Sequence, residues 1–104
     1  MKKFLLYPIL YISSIFGQFS VTGKISDKKS RTPLPGSNVI LVGTNLGAAA
    51  DANGFFEINN VPEGDYEIMA TFIGYENFKS NISINSSTTA SFQNMKIQLS
   101  VSAI

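Results

Sequence analysis

The chain has 104 residues, with eight basic and seven acidic side chains and a formal charge of +1. That length holds one small domain, and the near balance of charge excludes the broad positive field of a nucleic-acid binder. Histidine and cysteine are both absent, which removes disulfides, the common zinc ligands and the usual base of serine and cysteine hydrolases.

Met1-Lys2-Lys3 is a basic start, residues 4–16 are apolar apart from Pro8 and two serines, and Gly17 is a small residue suited to cleavage. This is the pattern of a secretory signal peptide over residues 1–17. Its apolar run of roughly 13 residues falls short of the ~20 that a helix needs to cross the hydrocarbon core. Processing would leave residues 18–104 with a formal charge of about −1. No cysteine follows for lipid attachment, so the expectation is a soluble exported module, periplasmic or secreted, held by its hydrophobic core alone.

Phe19, Val21 and Ile25 alternate with Ser20, Thr22, Lys24 and Ser26, which predicts a first strand with one wet face. Residues 27–36 break it, with Pro33 and Pro35 unable to donate to a central ladder and Gly36 closing a loop. The continuous run Val39-Ile40-Leu41-Val42 reads as a strand covered on both faces. The small residues before Asp51 suit a short, thin strand. Asn53-Gly54 and Glu63-Gly64-Asp65 are turn chemistry, and between and after them Phe56 and Ile58, then Tyr66, Ile68, Ala70 and Phe72, alternate as in a hairpin of half-buried strands. Phe72-Ile73-Gly74-Tyr75 is read as the close of a strand. Phe78, Ile82 and Ile84 mark the next, residues 85–89 are turn-rich, and Met95, Ile97, Leu99 and Val101 alternate with polar partners in the last. Short strands at this spacing, with no helical period after the first segment, predict an all-β, seven-stranded Greek-key β-sandwich.

Little in the chain has the pattern of a reactive site. Asp51, Glu57, Asp65, Glu67 and Glu76 are scattered at turns and on polar strand faces, where solvated charge is the ordinary role. Asp51-Ala52-Asn53-Gly54 begins like a calcium loop, but Phe55-Phe56 starts a strand before any bidentate Glu, so a turn is the stronger reading. Lys28-Lys29-Ser30-Arg31 reads as a solvated loop without interleaved aromatics. No metal, cofactor or small-molecule substrate is expected. The residues singled out are Gly36, Asn53, Gly54, Gly64 and Gly74 at structural turns, and Phe55, Tyr75 and Phe78 as a candidate interaction surface.

Taken in order, Gly23-Lys-Ile-Ser-Asp27, Pro33-Leu-Pro-Gly36 with Asn38-Val39, Gly43-Thr44, Asp51-Ala-Asn-Gly54-Phe-Phe56, Pro62-Glu-Gly64-Asp-Tyr66 and Ile73-Gly-Tyr75 resemble the carboxypeptidase regulatory-like domain. That domain is the transthyretin-like β-sandwich at the N-terminus of many TonB-dependent outer-membrane receptors. The resemblance covers almost all of residues 18–104 and implies a non-catalytic accessory domain. Its partners would be the plug and barrel of the same receptor, and periplasmic energy-transducing or regulatory proteins. Ile104 falls just after the last predicted strand, where such a receptor would continue toward its plug, so the expectation is the N-terminal piece of a longer chain. The alternative is a free-standing secreted module that binds carbohydrate or protein. A hydrolase of the same fold is disfavoured, since histidine is absent and the one arginine, Arg31, lies in the predicted loop.

Overall fold

Strand β1 (Phe19–Asp27) sits at the centre of one sheet, between β4 (Phe55–Val61) and β7 (Met95–Leu99). The computed structural model describes residues 19–85 and 95–102; the expected signal segment and most of the turn after Asn85 lie outside them. The second sheet runs β3 (Gly47–Ala49), β2 (Asn38–Leu41), β5 (Gly64–Thr71), β6 (Phe78–Ile84). All neighbours are antiparallel except β1 and β7, which run parallel with Ile25 opposite Ile97. The chain changes sheet after β1, β3, β4 and β6, and the result is an all-β sandwich of seven strands in two sheets.

Period-two alternation builds the core. Val21, Ile25, Ile58, Ile97 and Leu99 from one sheet and Val39, Leu41, Ile68, Ala70, Ile82 and Ile84 from the other form a single buried cluster. Burying each large aliphatic side chain contributes roughly 1.5–3 kcal/mol, and this cluster is what joins the sheets. Gly23 fills the remaining inward position of β1 for a steric reason: a Cβ there would lie 2.5 Å from the Met95 carbonyl oxygen and 2.7 Å from the Phe56 ring. The ring of Phe56 uses the space that β1 leaves vacant.

Three expectations are corrected. Residues 51–68 do not form a hairpin, because β4 and β5 belong to different sheets and Pro62-Glu63 carries the chain across the sandwich. The cause lies at the end of β4, where the register with β1 slips between Phe19↔Val61 and Val21↔Ile58 and Asn60 adopts φ 59°. This bulge shifts the buried positions of β4 from Phe56 and Ile58 to Val61, and a bulged strand bends and twists, which aims the chain at the other layer. Asn is among the few residues that enter this left-handed region routinely. Past the corner, the Tyr66 hydroxyl donates to the Pro62 carbonyl at 2.7 Å, a tie of the kind that fixes corners in Greek-key sandwiches.

Strand β2, secondly, is covered on one face only. Val39 and Leu41 are buried, whereas Ile40 and Val42 are 38% and 40% exposed, since among the described residues no further layer lies over the second sheet and Ile40 has its cross-strand neighbour Met69 beside it. Thirdly, β5 ends at Thr71 and residues 72–74 turn, with Ile73 90% exposed. Val101, expected in the last strand, makes an isolated bridge to Tyr75 instead.

At the β3–β4 corner, the Asp51 carboxylate accepts hydrogen bonds from the amides of Asn53 and Phe55 at 2.9 and 3.0 Å, and the amide of Ile25 donates to the Gly54 carbonyl at 2.8 Å. The corner is thereby stitched to the middle of β1. Gly54 has φ +85° and a Cβ there would stand 2.7 Å from the Ile25 carbonyl oxygen; Gly43 has φ +84° with open space around it. Gly43→Ala is therefore expected to cost about 1–2 kcal/mol for the left-handed backbone alone, and Gly54→Ala more, because the clash with backbone is added. Urea midpoints of the two variants test this: equal losses would show that contact with β1 does not constrain the corner.

Candidate functional site

The residues expected to form one aromatic surface are spread over the molecule. Phe55 opens β4 in the three-stranded sheet, 49% exposed, with the Lys24 Nζ 5.4 Å from its ring centroid. Phe78 opens β6 in the other sheet, opposite Ala70, and packs against the core. Tyr75 lies between β5 and β6, its ring 5.7 Å from that of Phe72. Of the turn residues, Gly36, Gly54 and Gly74 have φ between 85° and 87°, Gly64 begins β5 beside the Tyr66 ring, and Asn53 donates its amide within the Asp51 corner.

Tyr75 instead serves a tie between distant segments. Its hydroxyl donates to the Asp27 Oδ2 at 2.7 Å. The other carboxylate oxygen of Asp27 accepts from the amides of Lys29 and Ser30 at 2.8 and 2.9 Å, so one side chain shapes the turn after β1 and also anchors the β5–β6 connection. The Ser30 amide, then Tyr75 and the Lys29 amide, hold the Asp27 carboxyl below its ordinary value, while donation to that carboxylate raises the Tyr75 phenol. The two shifts act at opposite ends of the pH scale. Asp27 contributes stability that is present above the unfolded carboxylate value of about 3.9 and is lost as pH falls through its lower folded value. Tyr75 contributes stability that is present below about 10 and is lost as pH rises through its raised folded value. Tyr75→Phe should flatten the alkaline fall in the denaturation midpoint and shrink the acid one; identical pH profiles for variant and parent would refute the tie.

The charged groups that the sequence left apart meet on the outer face of the three-stranded sheet. Lys24 lies opposite Phe55 on one side and Lys96 on the other, and Ser26 lies opposite Gln98. Arg31, at φ 65° in the loop after β1, joins them, and together Lys24, Ser26, Arg31, Phe55, Lys96 and Gln98 line most of an open groove of about 330 Å³. Of that loop, Arg31 lines the same groove as the aromatic Phe55 of β4. Only strand register brings Arg31, Lys24 and Lys96 to one place, and a linear reading of isolated lysines carries no signal for it.

No group of three or more His, Cys, Asp or Glu side chains among the described residues is placed to hold a metal. Asp51 in particular already spends its carboxylate on the corner amides. Chelation by EDTA is expected to leave the melting temperature unchanged, and a fall restored by calcium would reinstate the corner as an ion site.

Comparison with known proteins places this geometry. The CarboxypepD_reg-like domain family matches residues 21–103. The chain belongs to that family. Over 72 residues it is 35% identical to TonB-dependent receptor P39 of Formosa agariphila, a match that takes in 69% of this chain and 7% of the receptor. Among solved structures, it is similar to chains in two type II Cohesin-X-Dockerin complexes from Acetivibrio cellulolyticus. One has a TM-score of 0.64 at 25% identity, covering 80% of this chain and 58% of that one. The other has a TM-score of 0.59 at 28% identity, covering 77% and 51%. The major pilin subunit BcpA of Bacillus cereus shares the fold, with a TM-score of 0.57 at 15% identity over 83% of this chain and 30% of the pilin.

Proposed function

We propose that this domain is a non-catalytic docking module carried at the N-terminus of a TonB-dependent outer-membrane receptor. In this reading residues 1–17 direct export and are removed, and the sandwich stands in the periplasm ahead of a plug and barrel that carry the transport activity. The observation that supports it most is the 35% identity to a TonB-dependent receptor of which the matched stretch makes up 7%, the proportion of an accessory domain in a much larger chain. The residue inventory agrees: with neither histidine nor cysteine, a sandwich of this kind acts through what it touches or what it is attached to. Its nutrient specificity would then reside elsewhere in the receptor.

The coding sequence beyond Ile104 is the direct test. It is expected to run on into a plug-like domain and then a long series of strands of about ten residues, alternating apolar and polar. A native stop codon at that point, with the short protein recovered free in the periplasm or medium, would overturn the receptor reading. It would promote a free-standing binding module, which the similarity to chains of the Cohesin-X-Dockerin complexes favours. Intact-mass measurement on the exported protein checks removal of residues 1–17 in either case.

A further inference from the structure

The outer face of the β4–β1–β7 sheet concentrates positive charge that the fold itself does not use. Lys24 and Lys96 occupy matched positions on adjacent parallel strands, which lie only about 4.8 Å apart, and like charges so placed repel. Among the described residues neither lysine nor Arg31 has an ion-pair partner; the Phe55 ring is the recorded contact of the Lys24 ammonium. Glu57, the acidic residue nearest in register on this face, lies opposite Thr22 and lines, with Asp51, an adjoining hollow that meets the groove at Gly23 and Phe55. Arg31, moreover, holds a left-handed backbone that an arginine adopts only at a cost. A Glu at 96 or a Gly at 31 would relieve these conflicts, so the residues present cost the fold something.

We propose that this groove binds an extended acidic segment of a partner protein, with a carboxylate seated between Lys24 and Lys96, a second carboxylate on the Arg31 guanidinium, and an intervening side chain against the Phe55 ring. Charge complementarity selects the occupant. Carboxylate recognition by Arg with an aromatic alongside is the composition of protein interfaces, and Gln98 supplies a neutral polar group of the kind a peptide backbone requires. The volume of about 330 Å³ suits a few side chains. A flat membrane surface would contact the cations but offers no discrete side chain to fill the groove beside the half-exposed Phe55 ring. The inference deepens the docking reading and rests on it for the kind of occupant, yet it is tested apart from the sequence beyond Ile104, so either can fail alone.

The probe is a blocked peptide of about eight residues in which Glu alternates with Thr and one central Phe, so that its carboxylates share one face when extended. Binding to the purified chain is read by fluorescence anisotropy and by backbone NMR shifts. Saturable binding is expected at low salt, weakening as the Debye length shrinks, with shifts centred on β1, β7 and Arg31. The Gln-for-Glu peptide and the Lys24→Gln/Lys96→Gln variant should each bind about tenfold or more weakly, whereas Lys79→Gln on the other sheet should not differ from the parent. Arg31→Gly guards against a folding artefact: glycine accepts that φ without strain, so this variant should keep or raise its melting temperature while losing affinity. No saturable binding, equal binding of the Gln peptide, or unchanged affinity in the lysine and arginine variants would overturn the proposal. Tighter binding to phosphatidylglycerol vesicles or to inorganic phosphate than to the Glu peptide would also overturn it, in favour of a lipid surface or a simple anion.

Discussion

Burial of one set of aliphatic side chains between two sheets holds this molecule together, because the chain has no cysteine for a cross-link and no metal cluster among the described residues. Strand β1 is where that constraint is tightest. It supplies Val21 and Ile25 to the core and carries both neighbours of its sheet, one antiparallel and one parallel. The inward space at Gly23 goes to Phe56, so the packing of β4 depends on the absence of a side chain on β1. With the inner faces so committed, the outer face of the same sheet carries the cations that have no ion-pair partner among the described residues.

The corners between the sheets follow from the same constraint. A sandwich built from short strands must turn its chain repeatedly across the core edge without leaving buried amides unpaired. Asp51 answers for the β3–β4 corner by accepting from two amides, the bulge at Asn60 and the Tyr66–Pro62 hydrogen bond for the β4–β5 corner, and Asp27 for the turn after β1. Asp27, Asp51, Pro62 and Tyr66 all lie in the motif segments that carry the family resemblance, whereas the bulge at Asn60 lies outside them. Those motifs therefore encode corners, and their order along the chain is the order of the corners in the topology.

Legibility in the sequence tracked the range of the interaction concerned. Alternation is local, so the strands, their buried faces and the sandwich class could be read from positions such as Phe56, Ile58, Ile68 and Ile97. Turn residues are local too, but Asn53-Gly54 and Glu63-Gly64 say only that the chain turns, not whether it returns along the same sheet or crosses to the other; the deciding bulge at Asn60 has no composition signal. The apolar run at residues 39–42 misled because hydrophobicity alone does not distinguish a covered face from one flanked by a single cross-strand neighbour. Tyr75 offered no sign of its bond to Asp27, 48 positions away in sequence.

The groove illustrates the same point for function. Net charge near zero describes the field at long range, whereas recognition by docking is decided by charge within a Debye length, and that depends on which residues the fold brings together. Lys24, Arg31 and Lys96 are separated along the chain by runs that contain all seven of its acidic residues. Averaged over the sequence they vanish. Folded, the acids fall on corners, on the far sheet and on the hollow beside Glu57, while the three cations stay together around Phe55. A nearly neutral domain can in this way present one cationic site with an aromatic in its lining, and such a site discriminates among partners more sharply than a uniformly basic surface, because an acidic segment must match both the spacing of the cations and the position of the ring.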